Sequence, residues 1–263
     1  DSLKTIRNNA FCHCTGLTAI TFGSGLTTLE ENTFYGCTGL SRLELPDHLT
    51  AVGVGAFQNC SGLREITVGE NTTAINRSAF EGCTGVISVS LPDGLVQISH
   101  SAFRGCTSLP AIVLPDTVES IGSAAFENCS KLTVVNYPKN WNSCPSSNGY
   151  NSGRGYIFNG CNRLKEITIP DGVTAIPAYA FRGCGSLERI IVPKTVSIIG
   201  ESAFQDAGLT AVSLPETLAT IGANAFADCN KLQMAYVPVK KDADVSVGSN
   251  AFGNCHSELK IAC

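Results

Sequence analysis

The chain has 263 residues, with 18 basic and 22 acidic side chains, a net charge of −4 and a pI near 5.6. That balance provides no basic stripe for nucleic acid, and no apolar run reaches the length needed to cross a bilayer. Charged residues make up only 15% and hydrophobic ones 43%, a composition suited to many short strands and turns.

Leu3 and Ile6 already occupy positions of a pattern that recurs downstream, so the chain is expected to be a processed protein or a piece of a longer array, open at both ends. From Phe11 the pattern is explicit. Phenylalanine returns at Phe34, Phe57, Phe80, Phe103, Phe126, Phe158, Phe181, Phe204, Phe226 and Phe252. The steps are 23 residues, except 32 before Phe158, 22 before Phe226 and 26 before Phe252. A cysteine follows each Phe at the third residue, from Cys14 to Cys255, and only Ala207 breaks the column. A fixed period of this size is the signature of a solenoid. Each coil of a solenoid touches only its neighbours, so residues 1–263 read as one domain with one continuous core.

Residues 102–124 show the unit. In Leu109-x-x-Ile112-x-Leu114, Ile112 and Leu114 alternate onto one face, which predicts a short strand buried on one side. Pro115 closes it, having no N–H for a ladder, and Asp116 supplies turn chemistry. Val118-x-x-Ile121 predicts a second short extended segment on the opposite side. Ala-Phe then begins a brief helical turn, ended at Phe+2 by Gly36, Asn59, Gly82, Gly105, Asn128, Gly160, Gly183, Asp228 or Asn254, residue types that tolerate a positive φ. Stacking the coils at strand spacing places Phe on Phe and Cys on Cys.

The unit L-x-x-[IV]-x-L-P-x-x-V-x-x-I-x-x-x-A-F-x-x-C resembles the BspA-like leucine-rich repeat family, in phase over essentially the whole chain. The resemblance implies an α/β repeat solenoid, a right-handed horseshoe of about 11 coils. Its parallel sheet lines the concave face, and short strands and helical turns form the convex side. It implies a cell-surface or secreted protein of microbes living on mucosa, in several cases adhesive, with a motif that is structural and carries no catalytic residue.

There are 13 cysteines, an odd number, so at least one thiol is free in a monomer, the oligomeric state expected. Column cysteines read as small buried hydrophobes; equivalent side chains point the same way, which disfavours disulfides between them. A metal-binding column is the rival reading, without any CxxC pair to support it. Cys12, Cys144 and Cys263 lie off the column; Cys12 is expected to face solvent beside an inward Cys14, and Cys255–Cys263 is left open as a terminal disulfide. His13, His48, His100 and His256 fall in different repeats or at different repeat positions, so no catalytic or metal constellation and no cofactor site is expected.

Insertions in solenoids often form binding loops. The excess before Phe158, read as a loop at about 139–157, holds the one Trp and two Tyr in a polar, Gly-rich frame: Trp141, Tyr150, Arg154 and Tyr156 are the candidate anchors. The alternative is that its aromatics fold back onto the solenoid. A second excess, Val239–Asp244, reads as a solvated bulge, with too few carboxylates for calcium. Among outward positions of the main strands, Ala111, Val113 and Val134 form an apolar strip expected beside the loop, and Arg189 and Ile191 complete the candidate set. The expected function is non-enzymatic binding of a host extracellular-matrix or microbial surface protein. The alternatives are a passive spacer, or a carbohydrate module in which Trp141 and Tyr150 stack on a sugar although the loop lacks the paired carboxylates of hydrolysis.

Overall fold

A computed structural model describes residues 2–144, 156–237 and 245–262. It contains twenty short strands. In chain order they are β1 (Thr5–Ile6), β2 (Thr28–Leu29), β3 (Arg42–Glu44), β4 (Ala51–Val52), β5 (Glu65–Thr67), β6 (Ala74–Ile75), β7 (Ser88–Ser90), β8 (Gln97–Ile98), β9 (Ala111–Ile112), β10 (Ser120–Ile121), β11 (Val134–Val135), β12 (Glu166–Thr168), β13 (Ala175–Ile176), β14 (Arg189–Ile191), β15 (Ile198–Ile199), β16 (Ala211–Ser213), β17 (Thr220–Ile221), β18 (Met234–Tyr236), β19 (Ser246–Val247) and β20 (Lys260–Ala262).

Every pairing is parallel, and partners are one coil apart, as in Arg42↔Glu65↔Ser88 and Ala51↔Ala74↔Gln97. The chain is thus a parallel β-solenoid of about ten turns; eleven phenylalanines bound ten intervals. Each full coil has three sides. One carries the Leu-x-x-Ile-x-Leu strands: β3, β5 and β7 pair, as do β9 and β11, β12 and β14, and β16, β18 and β20. Another carries the Val-x-x-Ile strands, β4-β6-β8-β10 and β13-β15-β17-β19. The third carries the Phe turns. Leu, Ile, Val, Phe and Cys fill the interior, where the Phe rings stack in one column, Phe34–Phe57 at 5.2 Å and Phe103–Phe126 at 5.4 Å between centroids.

The helical turn expected around each Phe is not a helix; none is found among the described residues. Left-handed backbone occurs at Phe+2, as expected (Gly36 +69°, Asn59 +61°), and also at Phe−2 (Asn32 +54°, Ser78 +55°, Ala124 +58°), which an α-helix cannot contain. Amides then alternate in direction. Those of Asn9, Phe11 and His13 reach Glu31, Thr33 and Tyr35 of the next coil at 3.0, 2.8 and 2.7 Å, while those of Ala10, Cys12 and Cys14 fold back to Arg7, Asn9 and Phe11 at 3.2, 3.1 and 3.1 Å. The turn side is therefore laddered between coils as well.

β2 stays beside β4, and β14 beside β16, without pairing, and two further interruptions of the ladders have a cause in the sequence. Between β7 and β9 the donor position is Pro110, which has no N–H, although the strands stay side by side. The other lies at the insertion. Residues 138–144 keep the repeat register: Trp141 occupies the Val118 position, Ser143 bridges Ser120, and Cys144 takes the Ile121 position. The excess thus lies between Cys144 and Tyr156, later than the sequence placed its start, and residues 145–155 are outside the described ones. β11 does not pair with β12, nor Ser143 with β13.

Candidate functional site

The candidate residues divide between two sides of the coil. Val113, Val134, Arg189 and Ile191 stand on the outer face of the long-strand side. Alternation puts them there, since Ile112, Val135 and Ile190 point inward and are buried. Exposure is 75% for Val113, 61% for Val134 and 46% for Ile191. The same face continues through Met234 at 52% and Tyr236 at 40%, in register with Ala211 and Ser213. Arg189 is opposite Glu166 and forms an ion pair with it at 3.6 Å; Arg42 likewise reaches Glu44 at 2.8 Å and Glu65 at 3.7 Å. These exposed pairs contribute about 0–1 kcal/mol each and chiefly fix side-chain positions.

The insertion leaves the coil after the short-strand side and re-enters at the turn side. Its described ends, Cys144 and Tyr156, lie on the short-strand and turn sides, whereas Val113 and Val134 stand on the long-strand side. Tyr150 and Arg154 lie outside the described residues. Trp141 does not serve as an exposed anchor: it is 3% exposed, its Nε1 donates to the Ser143 carbonyl at 2.9 Å, and its ring packs on Tyr137 at 5.0 Å and edge-on to Phe181 at 5.7 Å. This is the fold-back alternative, realised because Trp141 falls on a core position of the repeat.

Tyr156 is half-buried, with left-handed backbone (φ +59°) at the Phe−2 position. Its ring covers Gly183, and the Arg182 guanidinium lies 4.7 Å from the ring centroid and 6.0 Å from that of Tyr179. Tyr179 donates to Glu201 at 2.6 Å. Arg182 and Tyr179 were missed in the sequence, where the signal was present: consecutive coils place Tyr at Phe−2, and Arg182 directly follows Phe181.

Elsewhere on the turn side, a cavity of about 370 Å³ is lined by Tyr35, Gln58, Arg77, Glu81, His100 and Arg104 among others. Its central carboxylate, Glu81, is engaged by Gln58 at 3.1 Å and Arg104 at 3.4 Å, and burial pushes the His100 imidazole below its ordinary range. Among the described residues, no group of three or more His, Cys, Asp and Glu side chains is placed to hold a metal ion.

The described cysteines are free thiols. Most column thiols donate to the Phe carbonyl one coil back: Cys60 to Phe34 at 3.1 Å, Cys83 to Phe57 at 3.1 Å, Cys129 to Phe103 at 3.2 Å. Cys255 does so to Phe226 at 3.1 Å; Cys263, its partner in the terminal disulfide left open by the sequence, lies outside the described residues. Cys14, expected inside, is exposed, because only one side of the first coil is covered here.

A leucine-rich repeat protein from Bacteroides ovatus has a similar structure, with a TM-score of 0.78 at 24% identity over 99% of this chain and 70% of its own. The T. pallidum leucine-rich repeat protein is 30% identical with a TM-score of 0.50, over 60% of this chain and 70% of its own. The pneumococcal vaccine antigen PcpA shares the fold at 19% identity and a TM-score of 0.52, over 98% of this chain and 73% of its own. No curated protein matches. The BspA type leucine-rich repeat region matches in six copies over residues 1–109, 73–152 and 151–262, and the chain belongs to that family.

Proposed function

We propose that this chain is a non-enzymatic protein-binding module of a cell-surface or secreted protein, which takes a host extracellular-matrix or microbial surface protein on the outer face of its long-strand side. The observation carrying this reading is the row of exposed Val113, Val134, Ile191, Met234 and Tyr236 on one strand-ordered face. Solvated apolar side chains held on hydrogen-bonded strands lose little side-chain entropy when a partner covers them, and Tyr is enriched among residues that dominate interface energy. Family membership supports a scaffold of this kind. No helix among the described residues is long and apolar enough to cross a membrane. Tyr150, Arg154 and Tyr156 are a second proposed contact, of which Tyr156 packs against Arg182.

The test is binding to an array of extracellular-matrix proteins and glycans by three forms: the native chain, a Val113→Ser/Val134→Ser/Ile191→Ser variant, and one with residues 146–154 removed. The expectation is a loss of at least about tenfold in affinity for the face variant and retention without the loop. The reverse pattern moves the site to the insertion. Glycan binding favours the carbohydrate alternative, and silence from all three favours a spacer.

A further inference from the structure

We infer that the solenoid is two hydrogen-bonded stacks that hinge on each other at an aromatic wedge formed by Tyr137 and Trp141. The interruption at the insertion runs through every described side of one coil. Beginning at β11, the ladder to β12 is absent, then the ladder from Ser143 to β13. On the turn side, the amides of Phe158 and Gly160 do not bond to Ala180 and Arg182, although the equivalent bonds exist on both sides: Phe126 to Ile157 at 3.0 Å, Asn128 to Asn159 at 2.7 Å, Phe181 to Ala203 at 2.7 Å and Gly183 to Gln205 at 2.8 Å. Among the described residues, no backbone–backbone hydrogen bond crosses this surface. The first stack ends with the Phe158 turn, and the second begins at β12.

The cause is side-chain volume. Tyr137 takes the position of Leu114, and Trp141 that of Val118. Two large rings in one coil hold the next coil away, as overpacking does elsewhere. They stay buried, and the wedge is tied across the surface by the Tyr137 hydroxyl at 3.5 Å from the Ala175 carbonyl and by the Phe158–Phe181 stack. Separation decides between a hinge and a slot for an added strand. Phe158 and Phe181 are 6.2 Å apart, against 5.4 Å for the stacks on either side. A strand needs about 4.8 Å of new space, so the surface admits no peptide. Among the described residues it holds apolar contact, the Tyr137–Ala175 hydrogen bond and the Tyr156–Arg182 contact but no backbone ladder, and such contact permits rotation and shear. Coil-to-coil coupling sums over nearest-neighbour interfaces, and this interface lacks the ladders that reinforce the others.

Amide exchange and equilibrium unfolding of the intact chain test this. Amides of Phe158 and Gly160 are expected to exchange at least about tenfold faster than those of Phe103 and Gly105. In a urea titration, fluorescence of the single Trp141 is expected to change at lower denaturant than the far-ultraviolet circular dichroism. A Tyr137→Leu/Trp141→Val variant, read by exchange alone, is expected to slow Phe158 and Gly160 toward the rate of their equivalents. Equal protection at Phe158 and Phe103 in the native chain, with coincident fluorescence and dichroism transitions, overturns the hinge without needing the variant.

Discussion

The carbonyl of Phe57 accepts two hydrogen bonds, from the Cys60 amide at 3.2 Å and from the Cys83 thiol at 3.1 Å. This gives the column a chemical reason that the sequence did not show. The reading as a small hydrophobe was right about burial, but the thiol's acceptor belongs to a coil 26 residues earlier, beyond the reach of local pattern. Burial pushes the thiols of Cys60, Cys161 and Cys229 up from 9.0 to about 12. The unfolded chain releases those protons above about pH 9, while the folded chain keeps them to about pH 12. Their stabilisation is therefore complete below pH 9 and lost between 9 and 12. The thermal midpoint is expected to hold level from about pH 7 to 8.5 and fall beyond 9, with a shallower fall once Cys60 and Cys161 are replaced by Ala; an unchanged slope in that variant refutes the assignment. Phe103, fully buried between two stacked rings, sets a second contrast. Phe103→Ala is expected to cost about 3–5 kcal/mol. Glu127→Ala, which removes a part-exposed partner of Arg104 at 2.8 Å, is expected to cost about 0–1 kcal/mol. Chemical denaturation of the two variants compares them directly.

At the scale of the coil, both strands were legible because alternation and the closing proline act within a few residues. The turn was not. Glycine or asparagine at Phe+2 announces a positive φ, and Asn32 and Gly55 do so at Phe−2, but Ser78, Ser101, Ala124 and Tyr179 hold that second place without such a signal. The left-handed backbone there is imposed by the ladder to the next coil. Trp141 was misread for a different reason: it was judged by residue type inside a Gly-rich stretch, while counting from Pro138 puts it on a core position. Glycine substitutions test the turn. Gly183 combines φ +74° with a Tyr156 ring atom 2.6 Å from where a Cβ would sit, whereas at Gly185 a Cβ would meet nothing within 4 Å. Gly183→Ala is expected to destabilise by about 1–2 kcal/mol or more. Gly185→Ala is expected to stay within about 0.5 kcal/mol of the native chain. Equal thermal shifts in the two variants count against the description of the turn.

For the molecule as a whole, periodicity alone specified a single-file stack with one core, because each unit buries its apolar side only against its neighbours. The candidate site was less legible. Outward positions on the strands followed from alternation, but their relation to the insertion depended on which corner of the coil the extra residues leave, a three-dimensional fact. The thiol column carries one more consequence. From Cys37 to Cys161, and again at Cys229 and Cys255, the column thiol bonds the Phe carbonyl of the preceding coil, so a unit of this kind carries the same bond wherever it is copied. Recombination between like units then changes the number of coils without new chemistry, and length becomes a freely heritable variable. The shortened unit that ends at Phe226 departs from this rule; it carries Ala207 in place of the cysteine, and the Gly208 amide reaches the Cys184 carbonyl at 3.1 Å instead. The longer units that end at Phe158 and Phe252 keep the thiol bond, Cys161 to Phe126 at 3.2 Å and Cys255 to Phe226 at 3.1 Å, so the column tolerates added residues between one Phe turn and the next.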